Sequence, residues 1–206
     1  MKFALIVDDH PVVRAAVKIV LEKEGFKRVV EAASGNEVMA ILRDHSPDLV
    51  VLDLIMPTMD GLDVLGRIKA AGVASRVLVF TSQDPMYFQE RCMRAGALAY
   101  VAKTNELAQL SKAVHAVMAG YTYFAHLPAA ALSNVQRSEK QQIDSLSDRE
   151  LTILQCLARG TSNKAIAERM HLSHKTVSTY KTRLIEKLGV SSAVHLREFA
   201  KRNHLI

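Results

Sequence analysis

The sequence contains few cysteines and no long apolar run, and both shortages restrict where the protein can work. Its apolar runs, such as residues 49–52, are far shorter than the ~20 residues of a membrane-spanning helix. The run at residues 3–7 is also too short for a signal-peptide core, and acids follow it rather than a cleavage site. Cys92 and Cys156 fall on separate predicted helices, which favours free thiols in a reducing compartment. We therefore expect a cytoplasmic protein that has no membrane partner.

Positive charge is concentrated near the C-terminus. The formal net charge is +6, and residues 147–206 hold 11 Lys and Arg against 5 Asp and Glu. Residues 1–146 hold 16 of each sign, so all the excess lies in the C-terminal region. This distribution favours a polyanionic partner there, although charge alone also fits a solvated basic surface.

Short β-branched or apolar runs alternate with amphipathic helical patterns as far as Gly120. The predicted strands are 3–7, 29–31, 49–52, 77–80 and 98–101, and the predicted helices are 12–24, 37–45, 62–71, 86–95 and 106–119. Strict alternation of this kind predicts a parallel sheet covered by helices on both faces. The first region is therefore predicted to be an α/β domain of residues 1–122, with the flavodoxin-like strand order 2-1-3-4-5.

The pattern changes after this domain. Residues 123–145 mix small, polar and charged side chains without sustained periodicity and are predicted to be a linker that has room for short helical stretches. Residues 146–206 show only helical patterns, at 148–160, 163–170, 174–188 and 192–203. Ser147 and Glu150 have the spacing of a capping box at the start of the first of these helices. We predict an all-α four-helix domain here.

Polar side chains occur where the predicted strands end. Asp8 and Asp9 follow the first strand and Asp53 follows the third, which is its neighbour in this strand order. Three converging carboxylates predict a hard divalent cation, and Mg²⁺ is the natural candidate. As an alternative, one aspartate could cap the first helix, which has Pro11 near its start, but that explains only one acid.

A hydroxyl and an amine follow the next two strands, at Thr81 and Lys103. Together with the carboxylates, these groups suit a phosphoryl group on an aspartate, whose oxygens a cation, an ammonium and a hydroxyl can share. The sequence here resembles the receiver domain of bacterial two-component response regulators. The matching residues are Asp8-Asp9, Asp53, Met56-Pro57, Asp60-Gly61, Thr81-Ser82, Tyr100 and Lys103.

This resemblance implies a role for each matching residue. Asp53 would accept a phosphoryl group from a sensor histidine kinase, and Lys103 would pair with the phosphate. Mg²⁺ would be held by Asp8, Asp9, Asp53 and the backbone carbonyl of Ile55. Thr81 and Tyr100 would move together as a switch. The sequence departs from the family at Thr104, where many receivers have proline.

The C-terminal helical patterns include a helix-turn-helix. The patterns at 163–170 and 174–188 are joined by a short turn at His171 and Leu172, and Ser173 can cap the second helix. The second helix can enter the DNA major groove, and its predicted DNA contacts are Lys175, Thr176, Ser178, Thr179, Lys181, Thr182 and Arg183. The segments LSDRELTILQCLARG, NKAIAERM and TVSTYKTRL resemble the LuxR-type DNA-binding domain of the NarL/FixJ response regulators.

We therefore predict a phosphorylation-activated transcription factor rather than an enzyme. Its expected partners are a sensor histidine kinase, double-stranded DNA and a second copy of the chain, with RNA polymerase as a further candidate. One alternative is a Mg²⁺-dependent phosphohydrolase with Asp53 as nucleophile; it is disfavoured because Ile55 stands where its acid/base carboxylate would be. Another is a DNA-binding protein that carries a vestigial receiver.

Overall fold

The computed structural model describes residues 2–56, 59–104, 106–125 and 134–206. It divides the chain into two compact units, Met1–His126 and Leu127–Ile206. The described elements of the first unit are β1 (Phe3–Val7), α1 (Pro11–Lys23), β2 (Arg28–Ala32), α2 (Gly35–Asp44), β3 (Leu49–Leu52), α3 (Gly61–Ala70), β4 (Arg76–Thr81), α4 (Pro85–Arg94), β5 (Ala99–Ala102) and α5 (Leu107–Met118).

The strands of the first unit form one parallel sheet in the order β2-β1-β3-β4-β5. This confirms the predicted α/β fold and its strand order. Every residue of β1, β3 and β5 is buried, which is why these strands read as unbroken apolar runs. The edge strand β2 is largely exposed or half-buried instead.

Strand register brings the ends of β1 and β3 to the same level. Val7 pairs with Leu52, and the Asp53 backbone N–H donates to the Val7 carbonyl oxygen at 2.9 Å. Asp8 and Asp53 therefore leave the sheet side by side. The expectation that an aspartate side chain caps α1 is wrong: the N-cap residue is His10, and no side chain caps this helix. Asp8 instead accepts a hydrogen bond from the backbone N–H of His10 at 2.9 Å, in a tight turn before the helix.

The chain continues along the edge of the sheet after α5. The Tyr100 N–H donates to the Tyr123 carbonyl at 3.0 Å, and the Tyr123 N–H donates to the Leu98 carbonyl at 2.9 Å. The Gln89 side chain then binds both backbone groups of Ala125: its Nε2 donates to the carbonyl at 2.9 Å, and its Oε1 accepts from the N–H at 2.8 Å. Residues that were predicted as linker thus complete the sheet of the first unit.

The described part of the second unit, residues 134–206, forms the helices α6 (Asn134–Asp144), α7 (Asp148–Ala158), α8 (Asn163–Met170), α9 (His174–Lys187) and α10 (Ala193–Arg202). The last four agree with the predicted helices, and α6 lies within the predicted linker. Ile143 of α6 is buried, and Glu139 of α6 accepts hydrogen bonds from Arg202 and Asn203. α6 is therefore packed into the second unit. The exact domain boundaries, 1–122, 123–145 and 146–206, stay a prediction.

Serine side chains cap the starts of α7, α8, α9 and α10. Ser147 and Glu150 form the predicted capping box at the start of α7. The Ser162, Ser173 and Ser192 side chains accept backbone N–H groups at the starts of α8, α9 and α10. Apolar side chains that include Leu154, Ile166, Val177, Leu184 and Phe199 are buried beneath these helices. Among the described helices, none is both long and apolar enough to cross a membrane.

Candidate functional site

The carboxyl ends of β1 and β3 carry a compact group of acids. Asp8 and Asp53 are each only 2% exposed, and Asp9 is half-buried beside them. Ligand-type atoms of Asp8, Asp9, His10 and Asp53 all lie within 4.8 Å of one another. The structure thus brings together the three predicted carboxylates. It adds His10, which the sequence analysis missed although it directly follows the acid pair.

Lys103 joins this cluster from the end of β5. Its Nζ lies 2.7 Å from Asp53 Oδ2 and 2.7 Å from Asp8 Oδ2. Burial raises the pKa of Asp53 above its ordinary value, and the Lys103 ammonium offsets only part of that rise. Burial alone would lower the pKa of Lys103, but the Asp53 and Asp8 carboxylates outweigh it and the pKa is raised. The cluster therefore holds a lysine that stays charged beside a buried carboxylate.

The donor set fits a divalent metal ion. Asp9 Oδ1 is buried and accepts no well-aligned hydrogen bond, although His10 Nδ1 lies 2.8 Å away. A buried carboxylate oxygen without a donor is costly unless a cation or another partner compensates it. The Ile55 N–H donates to Asp53 Oδ1 at 3.2 Å, which places the Ile55 backbone next to the same carboxylate. Oxygen ligands of this kind are those that hard cations prefer.

The predicted switch residues, Thr81 and Tyr100, both hydrogen-bond to the backbone of Gln83. Thr81 is fully buried, its side chain lowers the pKa of Asp53, and its Oγ1 accepts from the Gln83 N–H at 3.4 Å. The Tyr100 hydroxyl donates to the Gln83 carbonyl at 2.9 Å, and burial raises the Tyr100 pKa so that the phenol stays neutral. Gln83 therefore connects Thr81 to Tyr100, a link that no local sequence pattern predicted.

A close backbone contact holds the turn that follows Asp53. The Gly61 N–H donates to the Leu54 carbonyl at 3.0 Å, and a Cβ atom at Gly61 would lie 2.3 Å from the Asp53 carbonyl oxygen. Only glycine fits this approach. Asp60 caps α3 by accepting the Leu62 N–H at 2.9 Å. Pro57, part of the receiver resemblance, lies outside the described residues.

The second candidate site is the helix-turn-helix of α8 and α9. His171 ends α8 in the left-handed region at φ 53°, and the Leu172 N–H donates to the Ala167 carbonyl at 2.8 Å, so the chain turns sharply. Val177 and Leu184 fix the buried side of α9. Among the predicted contacts, Lys175, Thr179, Thr182 and Arg183 are exposed, and Thr176, Ser178 and Lys181 are half-buried. Their roles stay predictions.

Comparison with known families follows the division into two units. The profile of the response regulator receiver domain matches residues 4–115, and that of the bacterial regulatory proteins of the luxR family matches residues 144–200. The first match covers more than half of the chain. The chain therefore belongs to the response regulators, as a NarL/FixJ-type member with a receiver domain and a LuxR-type DNA-binding domain, and the predicted resemblance is confirmed.

Individual relatives span the whole chain. It is 49% identical over 206 residues to the virulence factors putative positive transcription regulator BvgA of Bordetella pertussis, with 98% of this chain and 97% of the relative covered. It is 32% identical over 202 residues to the DNA-binding transcriptional activator EvgA of Escherichia coli K12, with 98% of each covered. RcsB of Salmonella enterica serovar Typhimurium, solved bound to promoter rprA with a phosphomimetic, shares the fold at a TM-score of 0.72 and 23% identity over 98% of this chain and 99% of RcsB.

Proposed function

We propose that a sensor histidine kinase phosphorylates this response regulator on Asp53 and that the phosphorylated protein binds double-stranded DNA to control transcription. The observation that carries the proposal is the environment of Asp53. Asp53 is 2% exposed, its carboxylate lies 2.7 Å from the Lys103 ammonium, and two further acids stand beside it at the end of the neighbouring strand β1. Because transcription takes place in the cytoplasm of bacteria, we place the protein there.

The chemistry is a transfer of one phosphoryl group. A carboxylate oxygen of Asp53 attacks phosphorus, the bond from phosphorus to the kinase histidine nitrogen breaks, and the electron pair stays with the imidazole. Lys103 and the Thr81 hydroxyl would then bind phosphoryl oxygens. Asp8, Asp9, Asp53 and the Ile55 carbonyl would hold Mg²⁺, which supplies charge neutralisation. Since BvgA and EvgA are transcription regulators by name, we favour regulation over phosphate hydrolysis.

Labelling by acetyl phosphate tests the acceptor. Wild-type protein should incorporate acid-labile phosphate in the presence of Mg²⁺, and Asp53→Asn should incorporate none because it lacks the attacking oxygen. Asp60→Asn is the matched control, since this residue caps α3 and an asparagine can still accept the Leu62 N–H. Label that persists on Asp53→Asn would refute the assignment, whereas label on the wild type without Mg²⁺ would refute only the metal requirement.

The same proposal includes a homodimer. α9 has 14 residues and is therefore about 21 Å long, so one copy reads only a few base pairs. Two copies on half-sites about one helical turn apart provide the missing specificity. RNA polymerase is the partner through which bound protein would change transcription.

Light scattering with and without beryllofluoride tests the dimer. The mass should double with beryllofluoride, and affinity for DNA should rise with it. A protein that is monomeric with and without beryllofluoride, and that nevertheless binds DNA more tightly with it, would contradict the dimer but not the phosphorylation site.

A further inference from the structure

The hydroxyl groups on the exposed side of α9 are already engaged within the protein. Thr179 Oγ1 donates to the Lys175 carbonyl at 3.1 Å, and Thr182 Oγ1 donates to the Ser178 carbonyl at 3.3 Å. Ser178 Oγ accepts from the Asn163 side-chain amide of α8 at 3.3 Å. A hydroxyl has a single proton, so both threonine protons are committed to the backbone of their own helix.

These bonds change what the threonines can offer to a base edge. The major-groove acceptors of guanine, adenine and thymine require a donor, which Thr179 and Thr182 would have to take from their backbone bonds. Each threonine Cβ carries one hydroxyl and one methyl group, and the hydroxyl is turned to the helix carbonyl. Both residues are exposed, and their spacing of three makes them neighbours on one face of α9. With its hydroxyl proton engaged, each threonine has its methyl group left to contact a base edge.

We propose that Thr179 and Thr182 are specificity-determining residues that recognise thymine, through contact of their methyl groups with thymine C5-methyl groups. Thymine is the base that presents a methyl group in the major groove. The exposed Lys175 and Arg183 flank the pair with positive charge. Ser178 Oγ accepts from the Asn163 side-chain amide, and this bond ties α9 to α8. The inference rests on the proposed DNA-binding function.

Deoxyuridine isolates the methyl group because it differs from thymidine by that group alone. The full-length protein, treated with beryllofluoride and Mg²⁺, selects duplexes from a random-sequence pool. A selected duplex is then remade with deoxyuridine at one thymidine at a time. Wild-type affinity should fall about fourfold at a contacted thymidine, the factor that corresponds to ~0.8 kcal/mol per buried methyl-sized group.

Two opposite substitutions distinguish the contribution of the threonine methyl group to thymine recognition from that of the hydroxyl group. Thr179→Val and Thr182→Val keep a methyl group and lose the hydroxyl, so the preference for thymidine over deoxyuridine should persist. Thr179→Ser and Thr182→Ser keep the hydroxyl and lose the methyl, so the preference at the corresponding base should vanish. Thr152 of α7 is the matched control, because its Oγ1 donates to the Asp148 carbonyl at 2.9 Å in the same way. Thr152→Val and Thr152→Ser should leave DNA affinity unchanged.

The converse result would overturn the inference. If the serine variants keep the preference and the valine variants lose sequence discrimination, the hydroxyls leave their carbonyls and read bases directly. Indifference to deoxyuridine at every position would also overturn the methyl contacts while leaving DNA binding intact. Failure to bind any duplex in the pool would instead contradict the DNA-binding function itself, and this inference with it. Circular dichroism of each variant verifies that the helices have formed.

Discussion

The two candidate sites of the molecule are built in opposite ways. The receiver site gathers side chains from the ends of β1, β3, β4 and β5, which are separated by up to 95 positions between Asp8 and Lys103. The predicted DNA contacts lie on one helix, α9, within residues 175–183. The first therefore depends on the register of a whole sheet, and the second depends on one helix and the few groups that hold it.

Charge is handled differently at the two sites as well. In the receiver, Asp8 and Asp53 are buried, and an internal cation, Lys103, compensates them. On α9, the exposed Lys175 and Arg183 need no compensation to fold, and their charge is available to a partner. A change at the receiver site should therefore alter folding stability strongly, whereas a change on the surface of α9 should alter mainly binding.

Lys103→Met should have the largest effect on stability. It removes the cation between Asp8 and Asp53 and should lower the free energy of unfolding of the first unit by about 3–5 kcal/mol, as breaking a buried ion pair does. Mg²⁺ should restore part of the loss by replacing the positive charge. Urea denaturation with Mg²⁺ and with a chelator measures both effects. Lys112→Met, at an exposed position of α5, is the control. If Lys103→Met is as stable as this control in chelator, Lys103 does not stabilise the fold by compensating the charges of Asp8 and Asp53.

Gly61→Ala should have the next largest effect, since the added Cβ would meet the Asp53 carbonyl oxygen at 2.3 Å. We expect a loss of about 2–3 kcal/mol in the free energy of unfolding, typical of overpacking, together with weaker labelling of Asp53. Gly66, in the same helix, is the control because nothing lies within 4 Å of its added Cβ. Gly66→Ala should stabilise α3 by about 0.5–1 kcal/mol. Equal thermal stability of the two variants would show that the turn after Asp53 adjusts freely.

Glu150→Gln tests how the helices that support α9 are held. Burial raises the pKa of Glu150, but hydrogen bonds from Lys187 of α9 and from Ser147 outweigh it, and the pKa is lowered. The charge therefore stabilises the fold above the unfolded pKa, and this contribution is lost as pH falls through the lower folded pKa.

Glutamine still fits the capping box, so this substitution keeps the cap while it removes the charge and one of the two oxygens that Lys187 contacts. At pH 7 the second unit should lose about 1 kcal/mol of unfolding free energy, and at about pH 3 the difference from wild type should shrink. Glu186→Gln, on the exposed side of α9, should change little at either pH. A difference of the same size at both pH values would assign the effect to shape rather than to charge.

Sequence patterns predicted the parts of the structure that local periodicity controls. The buried strands, the capped helices α7 to α10 and the strand ends that carry Asp8, Asp53 and Lys103 all leave such patterns. The position of α6 within the linker was not predicted, because this helix is largely polar and few of its side chains, such as Ile143, mark a buried face. The Gln83–Tyr100 hydrogen bond could not be predicted either, because a side-chain to backbone bond between distant residues produces no periodic pattern in the sequence.

The segment that closes the sheet after α5 determines where the receiver can be cut from the rest of the protein. A fragment that ends at the predicted boundary, residue 122, would lack Tyr123 and Ala125. The Leu98 carbonyl and the Tyr100 N–H would lose their partners, and so would the side-chain amide of Gln89. An edge strand opened in this way is a template for pairing with other chains. An isolated receiver that stays free of aggregation must therefore be expressed through Ala125.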